Sequence, residues 1–271
     1  MKVRILTAAI LLPAFLAIIL FLPPWCSIIL FAVMTGLASF ELLWGGRLLK
    51  NIRLVVYASL MGSVVAVWSG LGTVYVWAVL GVLLFAALLF LEIMLSNMKL
   101  AFEKVMLCAV AGLLIPFLLT GLVRIRCGEN GAFFILIPLI IAFVSDSGAY
   151  FAGRFFGKHK LAPTISPKKT VEGLIGGVLA AVMGLLIFGI VLQLGFGFRV
   201  NYLAVLLYGF VGAIAGAFGD LCFSAIKRQT GIKDYGKLLP GHGGVLDRFD
   251  SMVIIAPTVE ILMILIPMAV K

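Results

Sequence analysis

Apolar stretches of about twenty residues recur nine times along this 271-residue chain, more oil than a soluble globule of this size can bury. Their approximate bounds are 5–22, 25–44, 54–70, 72–95, 105–123, 132–152, 172–194, 202–223 and 252–270. A composition that is 63% hydrophobic, with a mean hydropathy of +1.24, agrees with this reading. Backbone polar groups in hydrocarbon must be satisfied internally, so the runs predict helices. The expectation is an all-α, polytopic integral membrane bundle with about nine transmembrane helices, forming one membrane domain over 1–271. The tightest separation falls at Gly70 to Thr73, where a short turn must divide one span from the next; without it the count drops to eight. The first run follows a basic start, as a secretory signal does. A second span follows within a few residues and no polar domain intervenes, so the first run reads as a retained helix.

Charge placement predicts an orientation. With the N-terminus inside, seventeen Lys and Arg fall on the inner segments and only Arg124, Arg126, Arg199 and Lys271 fall outside. That bias predicts a cytosolic N-terminus and cytosolic placement of both large basic loops; the membrane expected is the cytoplasmic (inner) one. The net charge of +10 does not point to nucleic acid, because the cations sit in short loops between apolar runs. Cys26, Cys108, Cys127 and Cys222 fall singly with no CxxC spacing, so no thiolate metal site, disulfide framework or redox function is expected.

The segment 1–123 reads as N-terminal scaffold helices. Glu41 and Glu92, near cytosolic helix ends, read as snorkelling, hydrated carboxylates, and Pro13 and Pro116 as helix kinks. The chemistry is expected in 132–271. Ser145-Asp146-Ser147 puts an acid and two hydroxyls in an apolar helix, where an ionisable group is costly unless paired, hydrated or coordinated. Asp146 precedes the first basic residue, Arg154, by eight positions, and Asp220 precedes Lys227 by seven. Both acids therefore lie roughly 10–12 Å below the basic rim, at one depth, where they could face one cavity.

Between these spans, Ser166-Pro167 reads as the start of the seventh helix, with Ser as N-cap and Pro at the first position. Lys168 and Lys169 would then oppose the macrodipole in the first turn, which suggests either an external anion or only the topology bias. His159 reads as a solvated loop histidine. Glycines at 173, 176 and 177, and at 209, 212, 216 and 219, predict close helix packing, with Asp220 held on the glycine face of its helix. Glu260 is an intramembrane acid whose partner the sequence does not show.

The densest charge cluster runs from Ser224 to Asp250, SAIKRQTGIKDYGKLLPGHGGVLDRFD. Its cations Lys227, Arg228, Lys233, Lys237 and Arg248 suit phosphate, and Asp234, Asp247 and Asp250 suit a hard divalent ion. The turn Pro240-Gly241-His242-Gly243-Gly244 lets backbone N–H groups approach an anion. A basic loop after a membrane helix is also ordinary topology, so composition alone leaves both readings open.

The order of those residues resembles the phosphatidate cytidylyltransferase family, the CDP-diacylglycerol synthases. The family's pattern is matched by Ser224, Lys227-Arg228, Lys233-Asp234, Pro240 to Gly244 and Asp247-Arg248-Phe249-Asp250. Its S-P-K-K-T-x-E-G stretch is matched by Ser166 to Thr170, Glu172 and Gly173. By motif, the resemblance covers roughly Asp146 to Asp250. It implies transfer of the cytidylyl group of CTP to phosphatidic acid in the bilayer, giving CDP-diacylglycerol and pyrophosphate in phospholipid biosynthesis.

Two polyanions must then meet, so cations and Mg²⁺ are expected between them, with room for a second metal ion. Asp220 and Asp247 are the first-choice metal ligands, followed by Asp250 and Asp146. The catalytic set is Asp220, Asp247, Asp250, Lys227 and Arg228. Substrate binding is expected from Lys168, Lys169, Ser224, Lys233, His242, Gly243, Gly244 and Arg248. A homodimer is compatible with the sequence. The alternatives are a CTP-dependent polyprenol kinase, a secondary transporter built around Asp146, Asp220 and Glu260, and a purely structural membrane subunit.

Overall fold

The computed structural model describes residues 2–72, 75–241 and 243–271, with side chains from Ala9 onward except Tyr75. Its chain separates into two compact units, 1–132 with 229–249, and 133–228 with 250–271.

In the first unit the helices are α1 (Lys2–Phe21), α2 (Pro24–Phe40), α3 (Ile52–Leu71), α4 (Tyr75–Leu95) and α5 (Phe102–Cys127). Their ends follow local chemistry. Pro24 opens α2 at a position that needs no N–H. Asn51 caps α3 by accepting the N–H of Arg53, and Gly72 ends it in the left-handed region. The break expected near Gly70 to Thr73 is therefore present at Gly72; Thr73 itself lies outside the described residues. The C-terminal end of α1 is held by buried Arg126, whose guanidinium donates to the carbonyls of Ile19 (2.5 Å) and Leu22 (2.9 Å). A cation there also offsets the helix dipole.

Two stretches of this unit widen into π-helical turns, Glu41–Gly45 after α2 and Val110–Leu114 within α5, just before Pro116. The second fits a proline that cannot donate its backbone bond. The first begins at Glu41, which is not a snorkelling residue: it is 5% exposed and bonded within the unit. Glu92 is also buried, accepting from Tyr57 Oη at 3.3 Å, with Arg53 3.8 Å away. Burial is possible in both cases because each carboxylate finds donors inside the protein.

The second unit contains α6 (Leu136–Phe156), α7 (Val171–Phe196), α8 (Tyr202–Gln229) and α9 (Met252–Leu265). A hairpin of β1 (Lys160–Ala162) and β2 (Ser166–Thr170) joins α6 to α7. A second antiparallel pair, β3 (Arg199–Val200) with β4 (Ala269–Val270), fastens the chain's last residues beside the start of α8. Two element bounds differ from those the sequence predicts. The seventh helix does not begin at Ser166: Ser166 to Thr170 is strand, and Thr170 is the N-cap, its Oγ1 accepting from Gly173 N at 3.1 Å. The last apolar run is helical only to Leu265, because Ala269 and Val270 pair as a strand.

The glycines of α7 face mostly inward and most of its large residues outward, which lets a neighbouring helix approach closely. On α7, Gly173, Gly177, Ala181, Leu185 and Gly189 are buried, whereas Ile175, Leu179, Met183, Ile187 and Leu194 are exposed. A Cβ at Gly177 would sit 2.9 Å from the Ser145 carbonyl, so α6 and α7 touch backbone to backbone beside Asp146. The glycine face of α8 packs as expected, with Gly209 against Val182, Gly212 against Ile141 and Gly216 against Ile255.

Seven helices among the described residues are long and apolar enough to cross a membrane. The apolar helices Ala9–Phe21 and Met252–Leu265 are shorter.

Candidate active site

The second unit gathers acids and cations from four elements. Lys169 on β2 lies 2.6 Å from Asp220 Oδ2 on α8, and Ser224, one turn on, donates to Asp220 Oδ1 at 3.1 Å. Lys227, in the last turn of α8, lies 3.7 Å from Asp250 Oδ2, while Asp250 Oδ1 accepts the N–H of Ser251 at 2.9 Å. Gly219 makes the approach possible: a Cβ there would stand 3.1 Å from the Asp250 carbonyl and 3.2 Å from that of Ser251. Asp146, exposed on α6, and Lys169 line a cavity of about 70 Å³ with Ser145, Thr170 and Gly173.

Electrostatics in this cluster are set first by burial of its innermost acid. Burial pushes the Asp250 carboxyl up to about 7, and the neighbouring charge of Asp220 adds to the rise; Lys227 and the Ser251 N–H oppose it, and Asp146 contributes further. Cations alternate with the acids, Lys169 beside Asp220 and Lys227 beside Asp250. Arg228 is exposed at the end of α8, with Nε donating to the Ile165 carbonyl at 3.0 Å, which ties it to the β1–β2 hairpin. Lys168 is exposed on β2. Glu172, in the first turn of α7, receives His159 Nδ1 at 2.6 Å, so that histidine is solvent-exposed yet paired.

The first unit holds the glycine-rich loop. Asp247 is buried, and its Oδ2 accepts the backbone N–H groups of Tyr235 (2.8 Å), Gly244 (3.0 Å) and Gly236 (3.4 Å). Glu41 receives the next two, Val245 N on Oε1 at 3.0 Å and Leu246 N on Oε2 at 2.8 Å. Leu239 N bonds to Gly243 O across the turn, where Gly241 and Gly243 take φ of +78° and +86°. Only glycine adopts such angles without strain. Lys233, Asp234, Lys237 and Arg248 are exposed on this loop, and Phe249 packs against Phe15 with ring centroids 5.7 Å apart. His242 lies outside the described residues.

Asp146, Lys169, Asp220, Ser224, Lys227 and Asp250 are thus brought together in one unit, and Asp247, Gly243 and Gly244 in the other. Among the described residues, no three His, Cys, Asp or Glu side chains gather as a ready-made metal cage. The carboxylates of Asp220 and Asp250 still offer the hard oxygens Mg²⁺ prefers, and one or two protein carboxylates with substrate phosphates and water are its usual complement. Glu41 and Thr170 were missed as organisers of these elements. Thr170 before Val-Glu-Gly carried a usable N-cap signal, whereas Glu41 carried only that of an acid inside an oily helix.

The model of the cytidylyltransferase family matches residues 2–266. A protein of Staphylococcus haemolyticus (strain JCSC1435) named phosphatidate cytidylyltransferase is 35% identical, over 97% of this chain and 99% of its own. Proteins of the same name from Bacillus subtilis (strain 168) and Staphylococcus aureus (strain COL) are 35% and 34% identical. Those matches cover 98% and 97% of this chain, and 98% and 99% of theirs. The match takes in both the acid–lysine cluster and the glycine-rich loop, and the chain belongs to the cytidylyltransferase family.

Proposed function

We propose that the chain is a phosphatidate cytidylyltransferase: it joins the cytidylyl group of CTP to phosphatidic acid and releases pyrophosphate. The supporting observation is the paired array of Lys169 with Asp220 and Lys227 with Asp250, an acid–cation cluster built around α8 in a chain related along nearly its whole length to proteins of that name. An anionic lipid and a nucleoside triphosphate repel each other, and ammonium groups at this cluster offset that repulsion.

In this reading a phosphate oxygen of the lipid attacks the α-phosphorus of CTP, a new P–O bond forms, and the bond to the leaving pyrophosphate breaks. The attacking oxygen is already anionic near neutral pH, so alignment and charge neutralisation matter more than a strong base. Lys169 and Lys227 exchange carboxylate for substrate phosphate, with Lys168 and Arg228 nearby in sequence as further anion contacts. Asp220 and Asp250 would hold Mg²⁺, which supplies charge neutralisation and orientation of phosphates when bound. Asp146 adds negative charge from α6 beside Lys169. Asp247 has a different role: it accepts the N–H groups of Tyr235, Gly236 and Gly244 and so orders the loop that carries Lys233 and Arg248. Nine spans, a cytosolic N-terminus and a site open to the cytosol at the cytoplasmic membrane complete the proposal, supported by the distribution of Lys and Arg.

The test is CTP turnover by purified protein in mixed micelles, with and without phosphatidic acid, and with Mg²⁺ or chelator. Lipid-dependent and Mg²⁺-dependent appearance of CDP-diacylglycerol with pyrophosphate is expected. Formation of CDP with a phosphorylated lipid would make the protein a kinase instead, and unchanged CTP with folded protein would sink the proposal.

A further inference from the structure

We infer that Glu41 is a positioning residue for cytidylyl transfer, holding the glycine-rich loop in shape through backbone N–H groups without touching substrate. Its two oxygens are spent on two successive amides, Val245 N at 3.0 Å and Leu246 N at 2.8 Å, more than two hundred residues away in sequence. The fit is tight from the loop side. A Cβ at either Gly236 or Gly244 would collide with the Glu41 carboxylate, and one at Gly45 would collide with the Tyr235 carbonyl. Tyr235 itself is 1% exposed. Asp247 Oδ2 takes the neighbouring amides of Tyr235 and Gly244. Two carboxylates therefore clamp the two ends of the stretch from Tyr235 to Leu246, and the exposed turn with Lys237 and Gly241 projects from that base.

Glutamate suits the position for three reasons. Two acceptors face two donors, which a carboxylate provides and an amide does not, since the NH₂ of Gln would oppose an N–H. Hydrogen bonds to a charged acceptor are the stronger kind, and they compensate a buried acid. The residue also opens the π-helical turn Glu41–Gly45, a widening often associated with functional sites, which brings Gly45 against the loop backbone. Nothing here requires Glu41 to meet a phosphate. Its effect is on where the loop's own groups lie.

The inference rests on the reading that this loop handles substrate, and the experiment separates the two. Glu41→Gln and Glu41→Asp are compared with Glu92→Gln, a buried acid of the same unit whose partners are Tyr57 and Arg53 on α3. Asp247→Asn is the loop control. For each, kcat and KM for CTP are measured at saturating phosphatidic acid, together with the thermal midpoint in detergent and tryptic cleavage at Lys233 and Lys237. Displacing a site by about 1 Å is enough to lose on the order of 100-fold. A loss of about 10- to 100-fold in kcat/KM is expected for Glu41→Gln, with faster cleavage at the two lysines and a midpoint no lower than that of Glu92→Gln. Partial rescue by Glu41→Asp is also expected. Gly244→Ala, which pushes on the same carboxylate while keeping the charge, reproduces the defect if Glu41→Gln is not recovered folded. Wild-type kinetics in Glu41→Gln alongside a crippled Asp247→Asn overturns the inference alone. Wild-type kinetics in both, with Asp220→Asn inactive, overturns the reading of the loop.

Discussion

Lys169 and Asp220, on a short strand and a membrane helix, meet in an ion pair of 2.6 Å with both side chains about a quarter to a third exposed. Such a pair is accessible enough to be opened by a phosphate and buried enough to matter electrostatically. Lys169→Met should lower kcat/KM on the order of 100-fold, mainly by weakening CTP binding, while Lys169→Arg keeps more of it because it retains the charge. Equilibrium binding of CTP to the folded variants checks this; an unchanged Kd and rate would remove Lys169 from the site.

Asp250 supplies a pH signature. Its carboxyl is raised from an ordinary value of 3.8 to about 7 by burial, with the Asp220 charge second and Lys227 opposing. Between those values the folded protein holds a proton that the unfolded chain has lost. Stability should therefore fall as pH rises from about 4 to about 7, the slope following the difference in bound protons. The check is the thermal midpoint of chelator-treated protein in detergent at pH 5 and pH 8, with Asp250→Asn expected to flatten the change. An equal pH response in that variant would assign the effect elsewhere.

Asp247 holds three backbone N–H groups through one oxygen. Replacement by Asn keeps the size and loses the charge, so activity should drop at least about 100-fold with the protein still folded. Circular dichroism and size exclusion establish folding, and CTP turnover measures the loss. Full activity would leave the loop's order irrelevant to catalysis.

Gly219 lets the turn at Asp250 lie against α8, next to Asp220. Gly219→Ala should cost about 1–3 kcal/mol through overpacking against backbone. It should also separate Asp220 from Asp250, giving a weaker dependence of rate on Mg²⁺. A Mg²⁺ titration at fixed CTP tests this; a variant with wild-type Mg²⁺ response would show that the spacing is not set there.

The sequence by itself determined the helical membrane architecture, because oil in runs of this length has few stable arrangements in water or lipid. It also marked the acids and lysines, since ionisable groups in apolar helices stand out, and the glycine faces of α7 and α8, since small residues at helical spacing permit close approach. The start of the seventh helix was misread at Ser166 because the pairing of β2 with β1 is a contact across a turn, and local propensity does not record it. Tertiary structure alone decided which acid meets which partner. Asp220 found Lys169, and Glu41 found amides more than two hundred positions later, because folding within each unit brings distant segments together and a carboxylate takes the donors packing brings to it.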